Sequence, residues 1–160
     1  MPAVINLVPM TLALCHTLYR GWQNDPAICA DPARFRPFRY DPEWVDRYFA
    51  RQQTPDRRYF AILAGGTVVG EIILKRIDRA AGTCALSIHL QNDSVKNKGY
   101  GTRAEKLAVA YAFDRLGLRA VLADAVKGNA RSRHVLEKVG FKPCGEDETF
   151  ACYRIEKPEP

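Results

Sequence analysis

One short segment, Lys-Asn-Lys-Gly-Tyr-Gly-Thr at residues 96–102, restricts the fold of this chain more than any other. It lies between a predicted strand, Thr83–Gln91, and a predicted helix, Thr102–Leu116. Gly99 and Gly101 permit a tight turn and a close approach of a ligand to the main chain. The free N–H groups at the start of the helix carry a partial positive charge, to which the lysines add full charges. The segment therefore predicts an anion-binding loop suited to a pyrophosphate.

Two other phosphate-binding loops fit this segment less well. A Walker loop would end in Gly-Lys followed by Ser or Thr, which this sequence lacks here. A dinucleotide-binding fingerprint would need a third small residue, which Ala104 could supply, and an acidic residue about 20 positions further on, near Asp124. That fingerprint follows the first strand of its fold, whereas several predicted strands precede residue 96. A nicotinamide-binding fold is therefore not favoured.

The hydrophobic pattern predicts an α/β layered domain, because strands come first and then alternate with helices. The predicted helices are Thr11–Gln23, one that begins at Asp41-Pro42, Thr102–Leu116 and Asn129–Val139. The predicted strands are Val4–Val8, Tyr59–Ala64, Thr67–Arg76, Thr83–Gln91, Ala120–Val126 and Thr149–Ile155. Residues Asn24–Pro42, which include four prolines, are interpreted as an ordered loop at the rim of a site. We predict a single domain over residues 1–160.

The net charge limits the partners that the chain could bind. It has 24 Lys and Arg against 18 Asp and Glu, a net charge of +6. This balance favours a polyanionic partner such as a phosphorylated cofactor or a nucleic acid. The basic residues are spread along the chain without interleaved aromatic residues, so a nucleic-acid-binding surface is not predicted.

The five cysteines predict neither a disulfide framework nor a metal site. Their number is odd, there is no Cys-x-x-Cys pair, and their spacing fits no zinc signature. The apolar stretch Ala3–Cys15 lacks a basic segment before it and contains Asn6 and Pro9, so no signal peptide is predicted. No apolar run approaches the roughly 20 residues of a membrane span. We therefore expect a cytoplasmic protein without a metal and without a membrane partner.

Two segments resemble motifs of the GCN5-related N-acetyltransferase (GNAT) family. Residues 96–102, with their flanking strand and helix, resemble motif A, which reads Gln/Arg-x-x-Gly-x-Gly/Ala. Residues 129–141, Asn-Ala-Arg-Ser-Arg-His-Val-Leu-Glu-Lys-Val-Gly-Phe, resemble motif B in the form of the branch that acetylates ribosomal-protein N-termini. The resemblance is good over about Tyr59–Phe141. Lys96 stands where the family has Gln or Arg and lacks a guanidinium fork, so we expect a rearranged phosphate contact.

The resemblance implies a mixed, mostly antiparallel twisted sheet flanked by helices, with a splay between the strands at 83–91 and 120–126. It also implies acetyl-coenzyme A as co-substrate, with its pyrophosphate in the glycine loop and its pantetheine arm paired to the strand before it. The residues expected to bind it are Leu90, Gln91, Lys96, Asn97, Lys98, Gly99, Tyr100, Gly101, Thr102, Asn129, Ser132 and Arg133. Arg131 is an alternative to Arg133 as the partner of the 3′-phosphate.

Acetyl transfer to an amine needs a neutral amine and a stabilised oxyanion. An α-amino group, with a pKa of about 7.7–8.0, loses its proton more readily than a lysine-type amine at about 10.4. Asp124, Glu71 and His89 are the candidates for a base or an amine-steering group, each with a purely structural role as the alternative. The oxyanion is expected against a backbone N–H near Gln91.

The leaving thiolate needs a proton donor, and here the sequence departs from the family. Many members have a tyrosine where this chain has Leu136, so Ser132 and Tyr153 are the candidates for the acid, with a water or direct departure of the thiolate as alternatives. The N-terminal aromatic residues are interpreted as core rather than as lining of an acceptor site: Trp22, Phe35, Trp44 and Tyr48.

These inferences predict an N-acetyltransferase that moves an acetyl group to a primary amine by direct attack through a tetrahedral intermediate. The form of motif B favours a protein or peptide α-amino group as acceptor. Two alternatives stay open. One is an acetyltransferase of a small amine, such as an amino acid, a polyamine or an aminoglycoside; the other is a non-catalytic acyl-coenzyme A sensor. A homodimer is compatible with the sequence.

Overall fold

The computed structural model describes residues 2–160, built around one seven-stranded sheet. The strands are β1 (Ile5–Pro9), β2 (Arg58–Ala64), β3 (Thr67–Asp78), β4 (Thr83–Leu90), β5 (Ala120–Val126), β6 (Lys142–Glu146) and β7 (Phe150–Glu156). The helices are α1 (Leu12–Arg20), α2 (Pro42–Arg51), α3 (Tyr100–Asp114) and α4 (Ala130–Val139). The strand order is β1-β2-β3-β4-β5-β7-β6, and neighbours are antiparallel except β4 and β5. The predicted α/β fold with a mixed, mostly antiparallel sheet is confirmed.

Helices cover both faces of the sheet. On one face, α3 packs its small buried residues Ala104, Ala108 and Ala112 into the larger core. On the other face, α1 and α2 bury Leu18 and Val45 in a second core that is rich in aromatic residues. Because side chains alternate between the two faces of a strand, neighbouring residues of β4 serve different sides of the molecule.

Side-chain and glycine caps set three helix ends where the sequence predicts them, namely the starts of α1 and α2 and the end of α4. Thr11 Oγ1 accepts a hydrogen bond from the Leu14 amide at 3.1 Å, and an Asp41 carboxylate oxygen accepts one from the Glu43 amide at 3.0 Å. At the end of α4, Gly140 has φ of 116° and the Phe141 amide donates to the Leu136 carbonyl at 3.0 Å. Glycine is suited to this position because a left-handed backbone carries no Cβ penalty there.

The parallel strands β4 and β5 pair over only three residues and then separate. The pairs are Thr83 with Ala120, Cys84 with Val121 and Ala85 with Leu122. Beyond Ala85 the two strands diverge and leave backbone groups of β4 without a strand partner on that side. The predicted splay is therefore present, and it opens a gap through the sheet.

The structure differs from the sequence prediction at a few element boundaries. Strand β6 was not predicted, because Pro143, Gly145 and the exposed side chains around them lack an alternating apolar pattern. Helix α1 ends at Arg20 rather than residue 23, since Gly21 follows it, and α3 begins at Tyr100 rather than residue 102. Within residues 2–160, every helix is too short or too polar to cross a membrane.

Candidate active site

The glycine loop forms an open cradle at the start of α3. Gly99 precedes the helix with φ of 78°, and Asn97 also adopts a left-handed backbone with φ of 59°. The first backbone bond of the helix runs from the Arg103 amide to the Gly99 carbonyl at 3.2 Å, so the amides of residues 100–102 lack an intrahelical acceptor. No atom of residues 2–160 outside the adjacent backbone lies within 4 Å of a Cβ added at Gly99. These amides can therefore receive an anion.

Lys96 does not place its charge in this cradle, contrary to the sequence prediction. Its Nζ donates to Asp25 Oδ2 at 2.8 Å and to Asp93 Oδ1 at 3.2 Å, and its side chain is nearly buried. The lysine thereby fastens the loop that contains Asp25 to the glycine loop. Lys98 is exposed beside the cradle and is the lysine free to face a ligand.

Removing this ion pair is expected to loosen the loop that contains Asp25. Burial alone would raise the pKa of Asp25, but the bonds from Lys96 and the Ala27 amide hold it below its ordinary value. The pair therefore stabilises the fold above the ordinary pKa of aspartate, and its contribution is lost as the pH falls. Lys96→Met should lower the free energy of unfolding by about 1–3 kcal/mol at pH 7 and by less near pH 3.

Urea unfolding at both pH values measures this difference. Arg34→Met is the control, because Arg34 pairs with Asp31 at 3.6 Å on the surface. An equal loss of stability for Lys96→Met at pH 3 and pH 7 would contradict the assigned ion pair.

A cavity extends from the cradle along β4 into the gap between β4 and β5. It is lined by Trp22, Gln23, Asp25, Ile28, Ile88, His89, Leu90, Lys96, Gly101, Glu105, Asn129, Arg131, Ser132 and Val135. Asn129 is buried, and its side-chain oxygen accepts a hydrogen bond from the Ser132 amide at 3.1 Å. This bond caps the N-terminus of α4 beside the cavity. The N-termini of α3 and α4 therefore face the same cavity.

The backbone of Gln91 is hydrogen-bonded to other segments, so the amides that face the gap are those of its neighbours in β4. The Gln91 amide donates to the Val69 carbonyl at 2.8 Å, and the Gln91 carbonyl accepts from the Gln23 amide at 2.9 Å. Because backbone groups alternate in direction along a strand, the amides of Leu90 and Ile88 face the gap instead. Leu90 lines the cavity, and its amide is a backbone N–H near Gln91 of the kind expected for the oxyanion.

Arg133 and Tyr153 bind each other rather than facing the cavity beside the cradle. Arg133 Nε donates to Tyr153 Oη at 3.0 Å, and its Nη1 donates to the Lys127 carbonyl at 3.0 Å. Tyr153 is fully buried, and its hydroxyl lies 3.5 Å from Glu137 Oε1. This pair argues against both predicted roles, Arg133 as phosphate ligand and Tyr153 as acid. Arg131 is exposed and lines the cavity.

A second cavity lies on the other face of the sheet, under α1, α2 and the loop at residues 24–42. Aromatic residues form most of its wall, including Tyr19, Trp22, Phe38, Trp44 and Tyr48. Trp44 stacks on Tyr48 with ring centroids 5.0 Å apart, and Tyr19 stacks on Trp22 at 4.6 Å. Trp22, Trp44 and Tyr48 pack against the second core, as predicted, and they also line this cavity.

The buried carboxylate of Glu71 forms the floor of the aromatic cavity. Its Oε1 accepts hydrogen bonds from Tyr19 at 2.7 Å and Tyr59 at 2.8 Å, and its Oε2 accepts one from Tyr48 at 2.5 Å. Burial alone would raise the pKa of Glu71, but the nearby His89 and the hydroxyls outweigh it, so the pKa lies below its ordinary value. Burial also raises the pKa of each tyrosine, so the hydroxyls keep their protons as donors.

His89 stands where the two cavities meet. Its Nδ1 lies 3.7 Å from Glu71 Oε2, and its ring contributes to the walls of both cavities together with Trp22 and Ile28. Asp124 is exposed on β5 across the gap and lines a wider groove that also includes His89. In β4, His89 faces the α1 and α2 side, whereas Leu90 faces α3, so the gap joins the two sides of the sheet at this point.

Sequence reasoning missed several residues of the cavity beside the cradle, and Glu105 is the buried one among them. Glu105 interrupts the small-residue stripe of α3 between Ala104 and Ala108, and it is 1% exposed. A charged residue within an apolar helix stripe was the available signal. The predicted candidate Ser132 lines the same cavity and is half-buried.

Comparisons with known proteins find N-acetyltransferases among the relatives of this chain. Spermidine N(1)-acetyltransferase of Escherichia coli K12 is 28% identical over 110 residues, which is 69% of this chain and 59% of that protein. The protein named "Putative ribosomal N-acetyltransferase YdaF" in Bacillus subtilis is 31% identical over 113 residues, 65% of this chain and 61% of that protein. The matches therefore span little more than half the length of these relatives.

Solved structures share the fold at low sequence identity. Spermidine N-acetyltransferase from Vibrio cholerae, in complex with CoA and spermine, has a TM-score of 0.74 at 18% identity, covering 95% of each chain. The N-acetyltransferase PseH of Campylobacter jejuni, in complex with acetyl coenzyme A, has a TM-score of 0.64 at 20% identity, covering 72% of this chain and 79% of that one. The family model described as "Acetyltransferase (GNAT) domain" matches residues 5–142. The chain therefore belongs to the GNAT acetyltransferase family, as its two motifs predict.

Proposed function

We propose that this chain binds acetyl-coenzyme A and transfers its acetyl group to a primary amine, preferably the α-amino group of a peptide or protein. The observation that carries the proposal is the meeting of two cavities at His89, one leading from an anion cradle and the other floored by a carboxylate. The CoA and acetyl coenzyme A named for the Vibrio cholerae and Campylobacter jejuni structures support acetyl-coenzyme A as the ligand of this chain, and the spermine named for the first supports an amine acceptor without favouring an α-amino group.

The residues around the first cavity fit the chemistry of acetyl-coenzyme A, which supplies an activated acetyl group as a thioester. The amides of residues 100–102, with Asn97 and Lys98, would hold the pyrophosphate. The exposed Arg131 would bind the 3′-phosphate. The backbone of Leu90 would pair with the arm, and Asn129 lies beside it at the start of α4.

A leucine at Gly99 is expected to weaken the affinity for acetyl-coenzyme A by about 10-fold or more, because its side chain would occupy the cradle. Gly117→Leu is a matched control. Both glycines have a left-handed backbone, with φ of 78° and 67°, and neither has an atom of residues 2–160 near an added Cβ. Each variant should lose about 1–2 kcal/mol of stability through backbone strain. Calorimetric titration should then show weakened binding for Gly99→Leu alone, and equal affinities would contradict the cradle.

The second cavity supports a role for His89 and Glu71 in receiving the amine. The aromatic walls and the Glu71 carboxylate attract an ammonium group. The carboxylate also favours the tautomer of His89 that carries its proton on Nδ1, which leaves Nε2 free to take a proton from the amine. Glu71 then stabilises the imidazolium that forms. The Leu90 amide donates a hydrogen bond to the oxyanion. As the tetrahedral intermediate collapses, the attacking nitrogen loses its second proton, which the hydroxyl of Ser132 relays to the leaving sulfur.

The charges around the acceptor cavity favour an α-amino group over a polyamine. Glu71 and Asp41 line the cavity together with two cations, Arg36 and Arg39. A polycation would meet repulsion from the arginines, whereas a peptide carries one ammonium near carbonyl or carboxylate oxygens that an exposed arginine can bind. Asp124, further along the same face, can bind the next polar group of the acceptor.

An acceptor panel tests this preference. One peptide has a free α-amino group, a second has the α-amino group blocked and a free lysine side chain, and the third and fourth acceptors are spermidine and a free amino acid. We expect the first peptide to have the highest kcat/KM by about 10-fold or more, because its amine is the easiest to deprotonate. Faster acetylation of spermidine would overturn the acceptor assignment and support a small-amine enzyme instead.

A further inference from the structure

Glu105 is a buried acid that the mechanism above does not use. It lies on α3, four residues after Gly101, and its side chain reaches the gap between β4 and β5. Within residues 2–160, its Oε2 is the one buried side-chain oxygen or nitrogen that lacks a hydrogen-bond partner. Buried polar atoms in native proteins are almost always paired, so this atom indicates a partner that the chain itself does not supply.

The surroundings of Glu105 identify the kind of partner. Glu105 lines both the cavity beside the cradle and the wider groove, as do Ile88, Asn129 and Ser132. The titratable and charged groups that line these spaces with it come from β3, β4, β5, β6, β7, α4 and two loops: Lys75, Arg76, Asp78, Cys84, His89, Asp124, Cys144, Cys152, Tyr153, Arg131, Asp25 and Lys96. Burial alone raises the pKa of Glu105, to about 8, so it is a neutral acid at pH 7.

We infer that Glu105 is a ligand-binding residue that donates a hydrogen bond from its protonated carboxyl group to an amide or thioester oxygen of the acetyl-coenzyme A arm. This inference rests on the proposed function, because it places the arm in the cavity beside the cradle. An ionised Glu105 has no proton to donate and presents a negative charge to the arm oxygen. Binding of the arm is therefore linked to protonation of this side chain.

The linkage predicts a pH-dependent affinity. If acetyl-coenzyme A binds only the protonated form, its Kd rises by about 10-fold between pH 7 and pH 9. Adenosine 3′,5′-bisphosphate has no arm and serves as the reference ligand, and acetyl-coenzyme A has no free thiol to titrate. Both ligands contact the phosphate-binding residues. Dividing the Kd of acetyl-coenzyme A by the Kd of the bisphosphate therefore cancels the pH effects that arise at those residues.

Calorimetric titrations of both ligands at pH 7, 8 and 9 test the inference. In Glu105→Gln, whose amide donates at every pH, the Kd ratio should stay constant, and acetyl-coenzyme A should bind at pH 9 about 10-fold more tightly than to the wild type. Asp114→Asn, at an exposed position of the same helix, should behave as the wild type. If acetyl-coenzyme A binds the wild type but the Kd ratio does not change with pH, the inference is overturned. Failure of acetyl-coenzyme A to bind at pH 7 would instead overturn the proposed function.

Thermal unfolding without ligand gives a second readout. The folded chain holds this proton up to about pH 8, whereas the unfolded chain releases it near pH 4.5. The contribution of Glu105 to stability is therefore full below pH 4.5 and is lost as the pH rises to 8. Glu105→Gln should flatten the fall of Tm over this window relative to Asp114→Asn. Identical profiles would contradict the buried neutral acid.

Discussion

Replacing His89 with alanine is expected to lower kcat for acetylation of an α-amino peptide by about 10²–10⁴-fold, the usual contribution of a general base. The reason is its position at the meeting point of the two cavities, with Nδ1 3.7 Å from the Glu71 carboxylate. Affinity for acetyl-coenzyme A should change little, since the cradle and the Leu90 backbone remain. Steady-state rates and calorimetric binding separate the two effects.

His16 provides a matched control for this variant. It also pairs with a carboxylate, because its Nε2 lies 2.8 Å from Asp46 Oδ1, but it lines neither cavity. His16→Ala should therefore keep its kcat. Added imidazole should restore part of the lost rate to His89→Ala, because a free base can enter the space that the side chain leaves. An unchanged kcat in His89→Ala would remove this residue from proton transfer and leave Asp124 as the base to test.

The second large effect is expected for stability when Glu71 becomes leucine. Three tyrosine hydroxyls donate to the Glu71 carboxylate, and the leucine would leave them without that acceptor. An unpaired buried donor costs about 1–3 kcal/mol, so Glu71→Leu should lower the free energy of unfolding by about 3–5 kcal/mol. Urea unfolding measures this loss.

Glu43→Leu, on the exposed side of α2, is the control and should change stability by less than about 0.5 kcal/mol. Glu71→Gln should lie between the two, because an amide oxygen can still accept from hydroxyls. A stability loss for Glu71→Leu no larger than that of the control would mean that the tyrosines find other partners, and the carboxylate would then not stabilise the second core.

The glycine loop could be predicted from the sequence because its determinants are local. The left-handed glycine, with φ of 78° at residue 99, and the helix after it both depend on neighbouring residues, although the helix begins two residues earlier than predicted. The role of Lys96 could not be predicted in the same way. Its main partner, Asp25, is 71 positions away in the chain, and only the tertiary fold brings the two together. Lys96 therefore forms a structural ion pair with Asp25, although its place in the sequence beside the glycine loop suggests a phosphate contact.

The arrangement of the aromatic cavity depends even more on the tertiary structure. Alternation along β3 left open whether Glu71 faces a cleft or solvent. The answer came from Tyr19 on α1, Tyr48 on α2 and Tyr59 on β2, which converge on its carboxylate. The direction of the Gln91 amide could not be predicted for the same reason. It donates a hydrogen bond to Val69 of β3, and the pairing of these two strands is not encoded by the residues next to Gln91.

The central claim is that the two cavities deliver an acetyl group from acetyl-coenzyme A to an amine at His89. Its most direct test measures thiol release from acetyl-coenzyme A in the presence of the α-amino peptide, with mass spectrometry of the peptide in the same samples. We expect one thiol to be released for each peptide acetylated at its α-amino group, with rates that depend on the concentration of both substrates. Binding of acetyl-coenzyme A without thiol release on any amine of the panel would contradict the claim and identify the chain as a non-catalytic acyl-coenzyme A sensor.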